Sequence, residues 1–332
     1  MRVLLTHPRA NLDLYYGPRA LQELRAVADV RLNELGRDFD LAELVAAAQD
    51  CDAVIAYRQT SGPRTLFEQL PGVAAFMRCA IDIRTIDVAA ASDHGILVTQ
   101  ASAGFVAAVS EWVIGAMVDL GRGTSRYAAE YARGGSPAPR MGVQLRGSTL
   151  GIIGHGQIGS DLSRLALALG MQVLVSTLEP VTAAPGLREV SLDDLLAGSD
   201  FVVCLVPANA HTEKLVGAAA FAAMKPGAYF INASRGELVD DDALLQALDS
   251  GRLAGCALDV GRAPDQMPTP RLASHPRVVA TPHIGGLTMP AIEHQALETV
   301  AQLRALVRGE IPQGAVNADR ATRIDRWKAG AE

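Results

Sequence analysis

Along the chain, short apolar runs alternate with stretches whose apolar residues recur at helical spacing. In the first hundred residues the runs fall at 3–5, 53–57, 73–77 and 96–99, and residues 41–48 carry the helical spacing. Strands that alternate with helices pair in parallel through right-handed crossovers. A second series of runs falls at 149–153, 172–175, 201–206, 229–232, 256–260 and 278–280, with helices predicted between them, for example over 160–169 and 241–250. Six strands with intervening helices are what a doubly wound dinucleotide-binding domain requires. Two longer helices predicted over 106–131 and 289–308 bracket this second series and can carry the chain between two domains. Residues 134–139, rich in glycine and proline, form a loop.

Composition changes this picture only by exclusion. A chain of 332 residues that is 49% hydrophobic and 20% charged has the apolar material for two cores. A net charge of -6 argues against a nucleic acid or an anionic membrane as main partner, because both need a basic surface. Arg320, Arg323, Arg326 and Lys328 are nearly cancelled by Asp319, Asp325 and Glu332, so the tail after Asn317 reads as a solvated end. Cys51, Cys79, Cys204 and Cys256 are far apart in sequence, which suggests neither a metal site nor a redox pair. They read as buried free thiols in a reducing cytoplasm. The apolar start is too short for a signal peptide, and no later run is long enough to span a membrane.

One turn carries the first chemistry. Gly154-His155-Gly156-Gln157-Ile158-Gly159 follows the apolar run Leu150 to Ile153 and opens an amphipathic helix. Gly154 permits the tight turn, Gly156 lets backbone amides approach a pyrophosphate, and Gly159 lets the helix pack on the strand. The free amides at the helix start then face the phosphates. An acidic residue is expected at the tip of the next strand to hold the adenosine ribose. Here Thr177 occupies that place, and Glu179 either serves instead or is a solvated loop residue. No arginine follows at once to hold a 2′-phosphate, so the reading favours NAD and leaves NADP open.

Four ordered segments resemble the D-isomer-specific 2-hydroxyacid dehydrogenase family. They are Leu150 to Gly159, Met224 to Gly236 (ending Asn232-Ala233-Ser234-Arg235-Gly236), Ala257-Leu258-Asp259-Val260, and Thr281-Pro282-His283-Ile284-Gly285-Gly286. The resemblance runs from the first strand to about Asn317. It implies two Rossmann-like parallel-sheet domains, with an NAD(P)-binding domain (103–287) inserted into a flavodoxin-like substrate domain (1–102 and 288–332). It also implies reversible hydride transfer between NAD(P)H and a small 2-keto or 2-hydroxy acid. Arg235 then holds the substrate's carboxylate and keto oxygen in forked geometry, and His283 is the general acid and base. The cofactor side takes in the six fingerprint residues with Thr177, Glu179, Val206, Pro207, Thr212, Ala233, Ser234, Asp259 and Gly286. Family analogy further implies a homodimer across the long helix beginning near Val106.

The sequence departs from the family at the catalytic glutamate, in the substrate loop, and at Leu205, where a cofactor-side histidine is usual. The family's glutamate, which orients the histidine, aligns with Pro264, and Asp265 one place later is the candidate third catalytic residue. An ordinary exposed loop residue is the alternative. In the substrate loop, two family glycines have become Ala80 and Asp82, and an acidic position has become Arg84. Backbone approach is thereby restricted. Arg58, Ile81 and Arg84 are therefore candidates to hold the substrate, the two arginines being alternatively surface ion-pairing residues. The lost glutamate also admits a second reading: an NAD(H)-sensing, corepressor-like binding protein with little turnover. No metal site is expected.

Overall fold

The computed structural model describes residues 1–182 and 184–328. The chain divides into two compact units, Met1–Gly104 with the stretch from Met289 onward, and Phe105–Thr288.

Among the described residues, the first unit holds a five-stranded parallel sheet: β1 Arg2–Pro8, β2 Asp29–Asn33, β3 Ala53–Ala56, β4 Ala75–Arg78 and β5 Leu97–Gln100, in the order β2-β1-β3-β4-β5. This is the flavodoxin-like order. Alternate residues of the same strands feed two cores. Val3, Leu5, Ile55, Met77 and Leu97 pack with the Pro18–Arg25 helix and with Ala296, Val300, Leu303 and Leu306 of the Met289–Val307 helix. Leu4, Val54, Phe76 and Val98 pack on the other face with Leu44, Val45 and Ala48 of the Leu41–Ala48 helix. Burial of both faces explains why these strands read as unbroken apolar runs. β2 lies at the sheet edge, and its Asp29-Val30-Arg31-Leu32-Asn33 pattern is too polar to stand out as a strand. Edge strands commonly carry such charges.

The second unit holds a seven-stranded parallel sheet among the described residues: β6 Thr149–Ile153, β7 Gln172–Ser176, β8 Leu187–Glu189, β9 Phe201–Cys204, β10 Ala228–Asn232, β11 Leu253–Leu258 and β12 Val278–Ala280. Its order is β12-β11-β10-β9-β6-β7-β8. Strand order reverses between β6 and β9, the point where doubly wound sheets open a crevice beyond the strands' carboxyl ends. Leu150, Ile152, Val173, Val175 and Val203 pack against Val109, Val113 and Met117 of the Val106–Arg122 helix and Leu162 and Ala166 of the Gln157–Ala168 helix. Val202, Phe230, Cys256 and Leu258 face Leu244, Leu245 and Leu248 of the Asp241–Asp249 helix.

Several expectations are corrected. The single helix over 106–131 is two helices, Val106–Arg122 and Thr124–Ala132. Gly123 closes the first in a left-handed conformation (φ 69°), its amide bonded to Asp119 O. Glycine takes this conformation without the cost of a Cβ. The sheet gains β8, a three-residue edge strand too short to read from periodicity. The apolar run at 201–206 stops pairing at Cys204, and that at 256–260 pairs from Leu253 and releases Asp259 and Val260 into a loop.

The tail is not a solvated end as far as Lys328. Ala321 and Ile324 are buried in the first unit's core. Buried Asn317 accepts from Val98 N (2.7 Å) and donates to Ile96 O (2.9 Å). Arg323 donates to Leu70 O and Val73 O, and Arg326 to Gly72 O. The segment thus crosses the amino ends of β4 and β5. Net charge could not disclose this, because Arg323 and Arg326 reach main-chain carbonyls far away in sequence, and Arg320 and Arg326 pair with the distant Asp93 and Asp52.

All four cysteines are buried and unbridged. Among the described residues no helix is long and apolar enough to cross a membrane.

Candidate active site

The glycine turn joins β6 to the Gln157–Ala168 helix. Gly154 has φ 92°, and a Cβ built there would stand 2.7 Å from Val206 Cγ1. A Cβ on Gly159 would stand 2.6 Å from Gly154 O, so only glycine lets the helix start this close to the strand. A Cβ on Gly156 would meet nothing within 4 Å. The turn is therefore closed on its protein side and open above Gly156, where amides of the helix start can meet an anion. These residues fit a dinucleotide. His155 Nε2 lies 3.1 Å from Ser163 Oγ, whose hydrogen goes to Gly159 O at 2.7 Å. Ser163 must then accept, and Nε2 carries the hydrogen. Burial lowers the His155 pKa from the usual imidazole value, which disfavours the cationic form at the cradle. Thr177 is half-buried just past β7, and Glu179 is exposed.

The loops after β9 and β10 are tied together. Thr212 Oγ1 donates to Pro207 O (2.9 Å), and Ser234 Oγ donates to Val206 O. Asn232, buried at the end of β10, donates through Nδ2 to Arg235 O (2.8 Å) and accepts from Ser234 N (3.1 Å). One amide side chain thus sets the turn that presents Arg235. The half-buried guanidinium donates to Ser234 O at 2.7 Å.

Asp259 follows β11 and is 3% exposed. Its Oδ1 accepts from Thr281 Oγ1 (2.6 Å) and Ile284 N (2.8 Å), and its Oδ2 from Gly285 N (2.7 Å). A charged acceptor with three donors is a strong anchor. It clamps the turn around His283, whose own amide bonds Asp259 O. His283 has φ 56° and is half-buried, and its Nδ1 lies 2.9 Å from Asp265 O, the main-chain carbonyl. The loop carrying Asp265 packs on the Arg235 loop: a Cβ on Gly236 would run into the backbone of Gly261. A Cβ on Gly286 would lie 3.1 Å from Phe105 Cβ, and Ala233 is half-buried in the Arg235 turn.

Arg235, Asp259 and His283 thus stand just past three neighbouring parallel strands of one unit. The glycine turn lies past β6 of the same sheet. The anchoring work of Asp259 and Asn232 was missed by sequence reasoning; the signal available was a polar residue ending a fully apolar strand.

Arg58, Ile81 and Arg84 belong to the other unit, past β3 and β4. Arg58 lies over the Tyr15 ring (4.6 Å to its centroid) and donates to Tyr15 OH at 3.3 Å. Arg84 makes a forked pair with Asp82 of its own loop (2.8 and 3.1 Å), and Ile81 is exposed. Arg78, fully buried at the end of β4, was given no role from sequence. It donates to Tyr57 O, to Thr60 O (2.8 Å) and to Thr85 Oγ1 (2.9 Å), fastening the loops that carry Arg58 and Arg84.

Known proteins match this arrangement. Residues 114–285 match the model for "D-isomer specific 2-hydroxyacid dehydrogenase, NAD binding domain". The chain is 34% identical to D-3-phosphoglycerate dehydrogenase of Haemophilus influenzae, over 85% of this chain and 70% of that one. It is 33% identical to the chloroplastic D-3-phosphoglycerate dehydrogenase 3 of Arabidopsis thaliana, over 91% of this chain and 52% of that one. The chain thus spans about half the length of this plant relative. Among solved structures, the TT0316 protein of Thermus thermophilus superposes with a TM-score of 0.86 at 30% identity, covering 95% of this chain and all of that one. The apo-structure of D-lactate dehydrogenase from Escherichia coli gives 0.84 at 26% identity, with the same coverage. Fold, ordered motifs and relatives agree, and the chain belongs to the D-isomer specific 2-hydroxyacid dehydrogenase family.

Proposed function

We propose that this protein interconverts a small 2-keto acid and the corresponding D-2-hydroxy acid with NAD(H) as cofactor, NADP(H) being the less favoured partner. The observation that carries this reading is the Asp259 clamp, which fixes the His283 turn beside the strand end that presents Arg235. Bound NADH supplies the hydride for the carbonyl carbon, and NAD⁺ accepts it in the reverse direction. Arg235 binds the carboxylate and the keto oxygen through its planar fork and stabilises the negative charge that grows on that oxygen. His283 gives this oxygen a proton in reduction and removes it in oxidation. The Gly154–Gly159 turn, with Val206, Pro207, Thr212, Ala233, Ser234 and Gly286 around it, holds the dinucleotide. Thr177 and Glu179 flank its adenosine end. Ile81 is proposed to line the substrate's place, and Arg58 to contribute to holding the substrate's carboxylate. Arg84, paired to Asp82, is the weaker candidate for that role.

The relatives named above are dehydrogenases and lend no support to a corepressor-like role. A homodimer in the cytoplasm completes the proposal. The buried, unbridged thiols fit a reducing compartment. Light scattering behind size exclusion tests the dimer, and a monomer at working concentration refutes it.

The activity test is a panel of 2-keto acids with NADH and NADPH, and of D-2-hydroxy acids including D-3-phosphoglycerate with NAD⁺, followed at the nicotinamide absorbance. Turnover that Arg235→Gln and His283→Asn each abolish is expected. NADH that binds without oxidation across the whole panel would reject the proposal.

A further inference from the structure

We infer that Asp265 positions His283 through its main-chain carbonyl, presented by a left-handed backbone at Asp265 and Gln266, so that Nδ1 carries the ring hydrogen and Nε2 is the nitrogen that exchanges a proton with substrate. The inference rests on the proposed dehydrogenase reading for the role of Nε2, and on the structure alone for the ring contact.

A carbonyl oxygen only accepts, so the 2.9 Å approach of His283 Nδ1 to Asp265 O requires the hydrogen on Nδ1. The hydrogen bond at one ring nitrogen decides which nitrogen does the chemistry. The carbonyl reaches this place because Asp265 (φ 57°, ψ 26°) and Gln266 (φ 57°) are both left-handed. His283 itself has φ 56°. Left-handed backbone at residues other than glycine persists only where the surroundings over-determine it. Here they do. Gly261 N bonds Gln266 O at 2.7 Å, and Ala263 N bonds Met267 O at 3.0 Å, closing the loop upon itself. Arg262, within that loop, reaches Glu213 Oε1 (2.7 Å) and Glu237 O (3.0 Å), pinning it from outside. On the histidine side, Asp259 fixes the turn.

The backbone and side-chain roles of Asp265 separate by substitution. Asp265→Val keeps a carbonyl but resists the left-handed conformation, whereas asparagine enters it readily. With the best substrate of the panel, Asp265→Val is expected to lower kcat ~10- to 100-fold with NADH affinity held, as for loss of a histidine's supporting partner. Asp265→Asn should rescue most of that loss. If Asp265→Asn falls as far as Asp265→Val, the carboxylate does the work and the inference is overturned. A second measurement needs no turnover and reads the unaltered protein, a variant serving only for assignment. In protein carrying ¹⁵N-histidine, with signals assigned by His283→Asn, the neutral His283 ring should show a pyrrole-type Nδ1 and a pyridine-type Nε2. The opposite pattern overturns the inference. Failure of the whole substrate panel with the expected ring pattern would sink the dehydrogenase reading and leave the contact standing.

Discussion

At the residue scale, a few buried polar groups organise what surrounds them. Asp259 holds a hydroxyl and two amides of the His283 turn. Asp259→Ala strips all three of their acceptor, and kcat should drop ~10- to 100-fold in steady-state assays. His7 is a different case. It is buried between Tyr16 and Tyr57, with ring centroids at 5.1 and 4.9 Å. Burial lowers its pKa to about 3, with Arg78 adding to the effect and a hydrogen bond to the Tyr15 backbone opposing it. Its folded pKa lies below the unfolded value of 6.5, so the unfolded chain binds the extra proton between these limits. Stability is whole above pH 6.5 and is lost as pH falls toward 3. Between pH 7 and 5 the loss amounts to about 2 kcal/mol from this one group. Urea titrations at both pH values should show it, and His7→Asn should flatten the difference.

The residue scale also marks the limit of reading from sequence. Gly154, Gly159, Arg235 and His283 stand out because each sits where an apolar run meets a turn. The contact between Asp265 O and His283 Nδ1 could not be read, because a main-chain carbonyl is common to every residue and only the backbone angle makes it special. Nor could the forked pair of Arg84 with Asp82 be read from spacing, since it depends on how their loop turns.

At the scale of elements, periodicity located the buried strands and failed where an element is polar, short or broken. The Leu41–Ala48 helix lies where the spacing put it, and Asp40 and Glu43 close it with reciprocal bonds at its start. Asp40→Ala should cost about 1 kcal/mol in denaturant melts, the usual effect of a lost cap. The Val106–Arg122 and Thr124–Ala132 helices merged in the reading because the apolar spacing continues through Gly123, and only its positive φ separates them. β2 and β8 escaped because edge strands are short or charged. At the Gln157–Ala168 helix, Gly159→Val would drive a branched side chain toward Gly154 O and push the helix start off β6. NADH affinity, read by fluorescence titration, should fall at least ~10-fold while the far-ultraviolet spectrum stays native.

At the scale of the molecule, the two-sheet architecture was legible because both sheets are covered on two faces and so write themselves as apolar runs. The segment after Asn317 was not, since Arg323 and Arg326 bond carbonyls, and Arg320 and Arg326 pair with distant acids, none of which composition reveals. Removing residues 318–332 would uncover the core around Ala321 and Ile324 and release the carbonyls of Leu70 and Val73. The first unit should then melt earlier by several degrees in calorimetry, with the second unit's transition unmoved.

The first unit is assembled from two stretches that flank the second in sequence, and this has a consequence for synthesis. When residue 288 leaves the ribosome, every strand of the second unit has been made, and that unit can close on its own. The five strands of the first unit were made earlier, yet Val3, Leu5, Ile55 and Met77 still lack the helix that carries Ala296, Val300 and Leu303. The nascent chain therefore carries an open apolar sheet face until the Met289–Val307 helix emerges. Such surfaces invite aggregation. A stall or a premature stop near residue 288 should yield a folded carboxyl-terminal lobe dragging a sticky, unfinished amino-terminal one, a product for chaperones and proteases to remove.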